Sequence, residues 1–407
     1  MTNLNTELPP TPKHVPNELV VDMDPLEAMS VDRGDNPNRC IGFHAELPPV
    51  FWATRFTYLG PSWVVQNASD IKAILQDTDT FSSSGSMSFS ALLGESWPLL
   101  PLEVDPPEHA IYRDVIASLF GPKKMSALEG RIREVAIELI DSFAEQGSCD
   151  FNKQFALRYP VLIFLELMGW PLAEAPKFVG WVNSLIKTTD MEQAAAAVAE
   201  IAHYLRERIA LAREVDGDDF CSYVVKLDIE GRKMTDDEAL GMCFLIFIAG
   251  LDTVASALSF HYMHLATHPE QQTQLRENPE MIPAAVEELL RAYSTVSGRR
   301  RITKDVVIGG VQMLAGDFVV VSTILANSDP AANECPEKID FERKKNRHTA
   351  FSYGVHHCAG AHLARRELII AMQEWLSRIP PFTAIDTDAV TIRPAGVMGL
   401  ENVHLTW

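Results

Sequence analysis

Phe351-Ser352-Tyr353-Gly354-Val355-His356-His357-Cys358-Ala359-Gly360, followed by the helical pattern Ala361 to Arg378, is the stretch on which the reading of this 407-residue chain turns. Cys358 stands at the mouth of a helix N-terminus, where free N–H groups and the positive end of the dipole stabilise a thiolate. Gly354 and Gly360 remove side chains where the loop would approach a flat object. A single cysteine is ordinarily a small buried hydrophobe. This setting adds anion stabilisation, clearance and a rigid support, which a soft metal ligand needs. No second Cys or His lies at chelate spacing on the same element, so other metals fit poorly. Axial ligation of haem iron by the thiolate fits.

A second stretch lies upstream. Thr235-Asp236-Asp237-Glu238 is a capping box with acidic residues at the positive end of the dipole, and the helical pattern runs on to His268 before Pro269. At 1.5 Å per residue that is about 50 Å, enough to cross a whole domain. Phe244 to Ala257 is apolar nearly all round, so this part is expected to be buried on every side. Within it, Ala249-Gly250-Leu251-Asp252-Thr253 places an acid and an alcohol where each needs a partner. Thr253 can bond back to the carbonyl of Ala249 and loosen the helix. Two readings stand side by side: a structural Asp252 paired with a distant arginine, and a catalytic proton relay.

The remainder sets bounds. Lys plus Arg total 35 against 55 Asp plus Glu, a net charge of −20, which disfavours nucleic acid and acidic lipid as partners. Met1 to Pro16 is polar and proline-rich, unlike a secretory signal, and the apolar run Met242 to Leu251 is too short to span a bilayer. Six scattered cysteines without a CxxC pair suit a reducing cytoplasm. Helical patterns cover 124–145, 152–168, 191–214 and 283–293. Strand patterns fall at 305–308, 318–321 and in the tail 390–405, and a hairpin is expected from Phe56-Thr57-Tyr58-Leu59 and Trp63-Val64-Val65 about Gly60-Pro61. No repeat or linker divides the chain. The expected fold is mainly α with small β-sheets (α+β), a single large domain over 46–407 with a Pro-rich arm, 1–45, packed on the body.

The loop resembles the haem-binding signature of the cytochrome P-450 family, phenylalanine-x-x-glycine-x-basic-x-cysteine-x-glycine, and Ala249 to Thr253 resembles the family's oxygen-activating segment. Glu288-Leu289-Leu290-Arg291 is similar to its Glu-x-x-Arg, and Asp340-Phe341-Glu342-Arg343 offers a second arginine to the same glutamate. The signature's basic position is His356 where most members have arginine. The soluble bacterial camphor-hydroxylase group also has histidine there, and Asp105-Pro106-Pro107-Glu108-His109 and Ala364-Arg365-Arg366-Glu367 are similar to that group.

The resemblance implies a monooxygenase that inserts one atom of O2 into a substrate C–H bond, with haem b as cofactor. It implies Cys358 as iron ligand, Phe351 and Gly360 in the haem-binding loop, and His109, Arg113, Arg300 and His356 on the haem propionates. Arg300 is one of three successive arginines, and a one-residue slip in a strand would exchange its face for that of Arg299 and Arg301. Asp252 and Thr253 would bring protons to one oxygen during O–O cleavage. Glu288, Arg291 and Arg343 would be structural. No flavin, nicotinamide or iron–sulfur signature is present, so electrons come from outside. Arg343, Lys344, Lys345 and Arg347 before the loop and Arg365 and Arg366 after it form a positive cluster that would steer an acidic ferredoxin. The resemblance adds Lys72 and Arg113 to that docking surface and implies a [2Fe–2S] partner with its NADH-dependent reductase. A solubilising surface is the alternative for each. By alignment to the group, the substrate pocket draws on Met87, Trp97, Leu245, Ile248, Ala249, Thr253, Val296 and Val397, an apolar lining suited to a terpenoid or norisoprenoid. Trp97 stands where camphor hydroxylases place a tyrosine hydroxyl, and its indole N–H can also donate. Competing readings are a peroxide-driven haem-thiolate enzyme and a non-catalytic haem sensor.

Overall fold

The computed structural model describes residues 10–30, 41–56, 59–87, 89–186, 188 and 190–407. Its spine is the helix Asp236–Thr267, whose cap is formed as the sequence implies: Glu238 N–H donates to Thr235 Oγ1 at 3.2 Å, and Thr235 N–H donates to Glu238 at 2.7 Å. By length and composition this helix could cross a membrane, but 78% of its most apolar window is buried inside the fold, so it is the core helix of the domain.

Two apolar cores meet on that spine. Its N-terminal half packs with helices Arg158–Met168, Ala175–Leu185 and Met191–Glu214. Its C-terminal half packs with Pro122–Asp141, Ile282–Ala292 and Ala361–Arg378. Leu251 belongs to the first core and Val254 to the second, so Asp252 and Thr253 stand at the changeover. Asn152 to Met168, read as one helix, begins with a π turn at Asn152–Ala156 before the α-helix Arg158–Met168.

A third core lies under a six-stranded mixed sheet in the order Val20–Val21, Val50–Ala53, Ser62–Val65, Phe318–Ser322, Ser297–Ile302 and Phe81–Ser82. The expected hairpin exists with a different first strand: Val50 pairs Val65 and Ala53 pairs Ser62, leaving Phe56 and Leu59 beyond the ladder. Val50–Ala53 is buried at every position, which satisfies a strand between two neighbours better than the half-polar run at 56–59. Thr57 and Tyr58 lie outside the described residues. From the expected arm, Val20–Val21 adds a parallel edge to Val50–Ala53, and His14 Nε2 meets Asp317 at 2.8 Å. Residues 1–9 and 31–40 of that arm are outside the described set.

Near the C-terminus, Thr391–Arg393 pairs antiparallel with Gly399–Glu401, and the latter strand lies against the central helix.

Candidate functional site

The cysteine loop turns through a short 3-10 segment, Gly354–His356, and the helix Ala361–Arg378 begins three residues after Cys358. Cys358 N–H donates to Phe351 O at 2.9 Å, closing the loop on itself. Gly354 takes φ +73°, and a Cβ there would collide with the carbonyl oxygen of Leu75. Its missing side chain therefore serves the close approach of the loop to the protein's own helix Ala68–Gln76. Gly360 has room on its sulfur side: a Cβ would stand 4.0 Å from Cys358 Sγ.

Cys358 is deep in the fold, yet much of its surface is uncovered by protein, so it borders an internal space. The central helix borders such a space too. Ala249 is exposed in the middle of this otherwise buried helix, with Ile248 and Thr253 half-buried beside it. Gly250 opens the other way, toward Phe164, where a Cβ would make an ordinary 3.5 Å contact. Burial pushes the Cys358 thiol up. The Gly360 N–H and the charges of Arg113 and Arg365 pull against this without overcoming it. A thiolate in this place calls for a cation upon it.

Beside Cys358 the structure gathers four bases. The rings of His109 and His356 are 4.4 Å apart. Burial, then the charges of Arg300, His109 and Arg113, hold His356 down at about 3. Burial and Arg113 lower His109, and burial brings Arg300 down to about 10. The register of the three arginines is resolved. Arg299 lies over the Phe318 ring at 4.0 Å and donates to Leu59 O, Arg301 is exposed, and Arg300 is 8% exposed on the inner face. Asp105 is the acid of this neighbourhood, and it also accepts from Ser82 Oγ at 2.5 Å and Ser83 N–H at 2.9 Å. Ser83 Oγ meets His356 Nε2 at 3.1 Å, while His109 Nε2 is buried without a hydrogen-bond partner among the described residues. A cluster of bases short of negative charge, with one buried ring nitrogen orphaned, fits the carboxylates of an anionic cofactor. A soft ligand next to it fits the iron such a cofactor carries.

Asp252 is 1% exposed and faces away from that space. Its carboxylate accepts from Arg393 Nη2 at 3.1 and 3.4 Å. Thr253 Oγ1 donates to Ala249 O at 2.9 Å. The arginine partner weighed for Asp252 is thus present, on a strand 141 residues away, and nothing near Arg393 in sequence marked it.

Glu288 accepts from Arg291 at 2.8 and 2.9 Å and from Arg343 at 2.9 and 3.0 Å. Asn346, which no motif flagged, joins them at 3.2 Å. Glu287, one residue earlier, is a second missed node: Arg365 donates to it at 2.6 Å and His348 meets it at 3.0 Å. Against the effect of burial, the hydrogen bonds from His348 and Arg365 hold the Glu287 carboxyl down at about 2.

Met87, Trp97, Leu245 and Ile248 share one apolar cluster with Ala359, the neighbour of Cys358. Val296 and Val397 pair with each other outside that cluster. Trp97 does not offer its N–H to a guest, as the sequence had allowed. The indole donates to Glu95 Oε2 at 2.5 Å, and Arg206 holds the same oxygen at 2.5 Å. Of the expected docking residues, Lys345 is exposed without a carboxylate partner among the described residues. Lys72 lies 5.7 Å from the Tyr353 ring centre. Arg365 is taken up by Glu287 and by the Phe351 ring at 4.4 Å, and Arg113 is half-buried near Cys358.

Comparison with known proteins agrees with this geometry. The family model described as Cytochrome P450 matches residues 175–379. The chain is 41% identical over 403 residues to a protein named Probable cytochrome P450 127A1 from Sinorhizobium fredii, covering 98% of this chain and 97% of the relative. The crystal structure of cytochrome P450 CYP101C1 superposes with a TM-score of 0.86 at 32% identity, covering 98% of this chain and 99% of that one. The crystal structure of CYP101J2 does so with a TM-score of 0.87 at 29% identity, covering 98% and 100%. A chain with this fold, a thiol beside a cluster of buried bases, and such likeness along nearly its whole length belongs to the cytochrome P450 family.

Proposed function

We propose that this P450 monooxygenase hydroxylates a small hydrophobic substrate of the terpenoid or norisoprenoid kind, in the cytoplasm, with electrons from a [2Fe–2S] ferredoxin and its NADH-dependent reductase. The observation that carries the reading is that Cys358, beside the four bases, and the middle of the central helix at Ala249 both leave surface uncovered by protein. Cys358 would hold the haem iron, and His109, Arg113, Arg300 and His356 its propionates. When bound, haem b supplies the activation of O2 toward C–H insertion.

The chain's own residues do the rest. The apolar cluster of Met87, Trp97, Leu245 and Ile248 orients the guest by shape and excludes water. With the Trp97 N–H spent on Glu95, that wall recognises carbon rather than a polar group. Thr253 can release Ala249 O to hold a water on the open side of the helix, and Asp252 delivers protons as a general acid on leaving Arg393. Lys345, with Lys344 and Arg347, leaves positive charge unpaired among the described residues, which steers an acidic donor despite the net charge of −20.

The alternative is a peroxide-driven reaction, which the Asp252–Arg393 pair does not favour, since it lies on the side of the helix turned away from Cys358. NADH consumption and product formation with and without added ferredoxin and reductase separate the two. Ferredoxin-dependent product supports the proposal, and product from peroxide alone at equal rate overturns it. Apolar ligands that shift the haem from low to high spin identify the substrate class.

A further inference from the structure

Behind the central helix, on the side that Asp252 turns toward the C-terminal strands, lies a cavity of about 10 Å³. Its polar lining comes from Asn152, Asp252, Ser256, Ser259 and Arg393. About this much space holds one water, given two to four polar partners. Two of the lining groups are already engaged. Ser259 Oγ donates to Ala255 O at 2.8 Å and accepts from Asn152 at 2.9 Å, and Asn152 also serves Leu400 O and Val403 N–H. Two are not. Ser256 is 4% exposed, and its hydroxyl makes no hydrogen bond among the described residues. Arg393 Nε is buried without an acceptor among the described residues, where the Glu401 carboxylate stands 3.6 Å away.

The surroundings keep the cavity open and Arg393 in place. A Cβ at Gly399 would come within 2.8 Å of Arg393 Nη2 and 3.1 Å of Ser256 Oγ, so a larger residue would displace the guanidinium and fill the space. The guanidinium is further fixed by donating to Ile186 O at 3.0 Å and Val397 O at 3.4 Å. Ile186 closes the helix Ala175–Leu185, and Val397 precedes the strand Gly399–Glu401, so Arg393 joins three separate parts of the chain at Asp252.

We propose that this cavity is a water site, and that the water held by Ser256 and Arg393 Nε reprotonates Asp252 from behind the central helix. The inference rests on the monooxygenase reading above. Asp252 gives its proton toward Thr253 and is left as a carboxylate. One O–H bond of the cavity water breaks as the carboxylic O–H forms, and a solvent proton arriving on the half-exposed Glu401 side restores the water. Arg393 keeps its own protons throughout and is a positioning residue.

Crystal structures of the haem-loaded protein and of Ser256→Val test the site without turnover. The expected result is one ordered water within hydrogen-bond distance of Ser256 Oγ, Arg393 Nε and Asp252, absent from Ser256→Val. In NADH-driven turnover, Ser256→Val should lose several-fold in product per NADH and show a larger solvent isotope effect. Its carbon monoxide spectrum and substrate dissociation constant should match the parent. Ser256→Ala, which removes only an oxygen, should shift both readouts the same way by less, and replaces the valine variant if that one does not fold. A dry cavity in the parent overturns the proposal whatever the turnover, and so do an unchanged product yield and isotope effect in these variants. A parent that binds haem but oxidises nothing overturns the monooxygenase reading instead, while the crystal still decides whether the water is there.

Discussion

Thr253 spends its hydroxyl on Ala249 O within the central helix, and that bond costs little to exchange for a water. Thr253→Ala should therefore retain haem and bind substrate as the parent does, yet divert reducing equivalents to hydrogen peroxide. The check is product and peroxide per NADH, and an unchanged product yield would remove Thr253 from the relay. A second residue-scale consequence concerns stability. His261 and His264 are buried on the central helix, and burial lowers them to about 3 and about 4. Both are neutral in the native state, while the unfolded chain takes up their protons below about 6.5. Stability should therefore fall as pH drops from about 6.5 toward those folded values, by roughly 1.4 kcal/mol per pH unit for each group. His261→Leu should flatten the dependence of thermal unfolding on pH in that window. An unaltered slope would contradict the assignment. What was legible at this scale was chemistry carried by neighbours in sequence. Cys358 could be read because the loop and helix start around it are local. Arg393 could not, because an arginine in Thr391-Ile392-Arg393-Pro394 acquires its meaning only from a helix 141 residues away.

Among elements, the central helix was fully readable, since its cap, its apolar middle and the proline after it are all local signals. The hairpin was not, because two apolar runs compete for one partner strand and only the surrounding sheet chooses Val50–Ala53. The arginine strand shows the same limit. Periodicity says that Arg300 opposes Arg299 and Arg301, but the pairing with Phe318–Ser322 decides which face is inside. Two predictions belong to this scale. Arg291 and Glu288 are 0% and 1% exposed, so Glu288→Ala would leave two arginines without their buried acceptor, at a cost of about 3–5 kcal/mol. The yield of soluble, haem-loaded protein should collapse, and a normal yield would show that the contact is dispensable. Gly354→Ala combines an unfavourable φ with a collision at Leu75 O, so it should displace the cysteine loop and lower haem occupancy more than Gly360→Ala does. Equal occupancy in the two variants would contradict that placement.

For the whole molecule, a net charge of −20 coexists with Lys344, Lys345 and Arg347, exposed ahead of the cysteine loop and without a carboxylate partner among the described residues. Lys345→Glu should slow reduction by an acidic ferredoxin, most at low ionic strength, with a substrate dissociation constant as in the parent. A rate independent of both this substitution and salt would place the donor elsewhere. At this scale the sequence identified the family and the single large helical domain, because motifs separated by 100 residues are recognisable one at a time. It could not show that the bases at 109, 113, 300 and 356 converge without a matching set of acids, which is a property of the folded chain. That convergence around Cys358 is the claim on which the functional reading depends. The most direct test is the visible spectrum of the purified, reduced protein under carbon monoxide. A red-shifted Soret band, lost in Cys358→His with haem still bound, is the predicted result. An unshifted band in the parent, or a red-shifted band that survives the substitution, would contradict it.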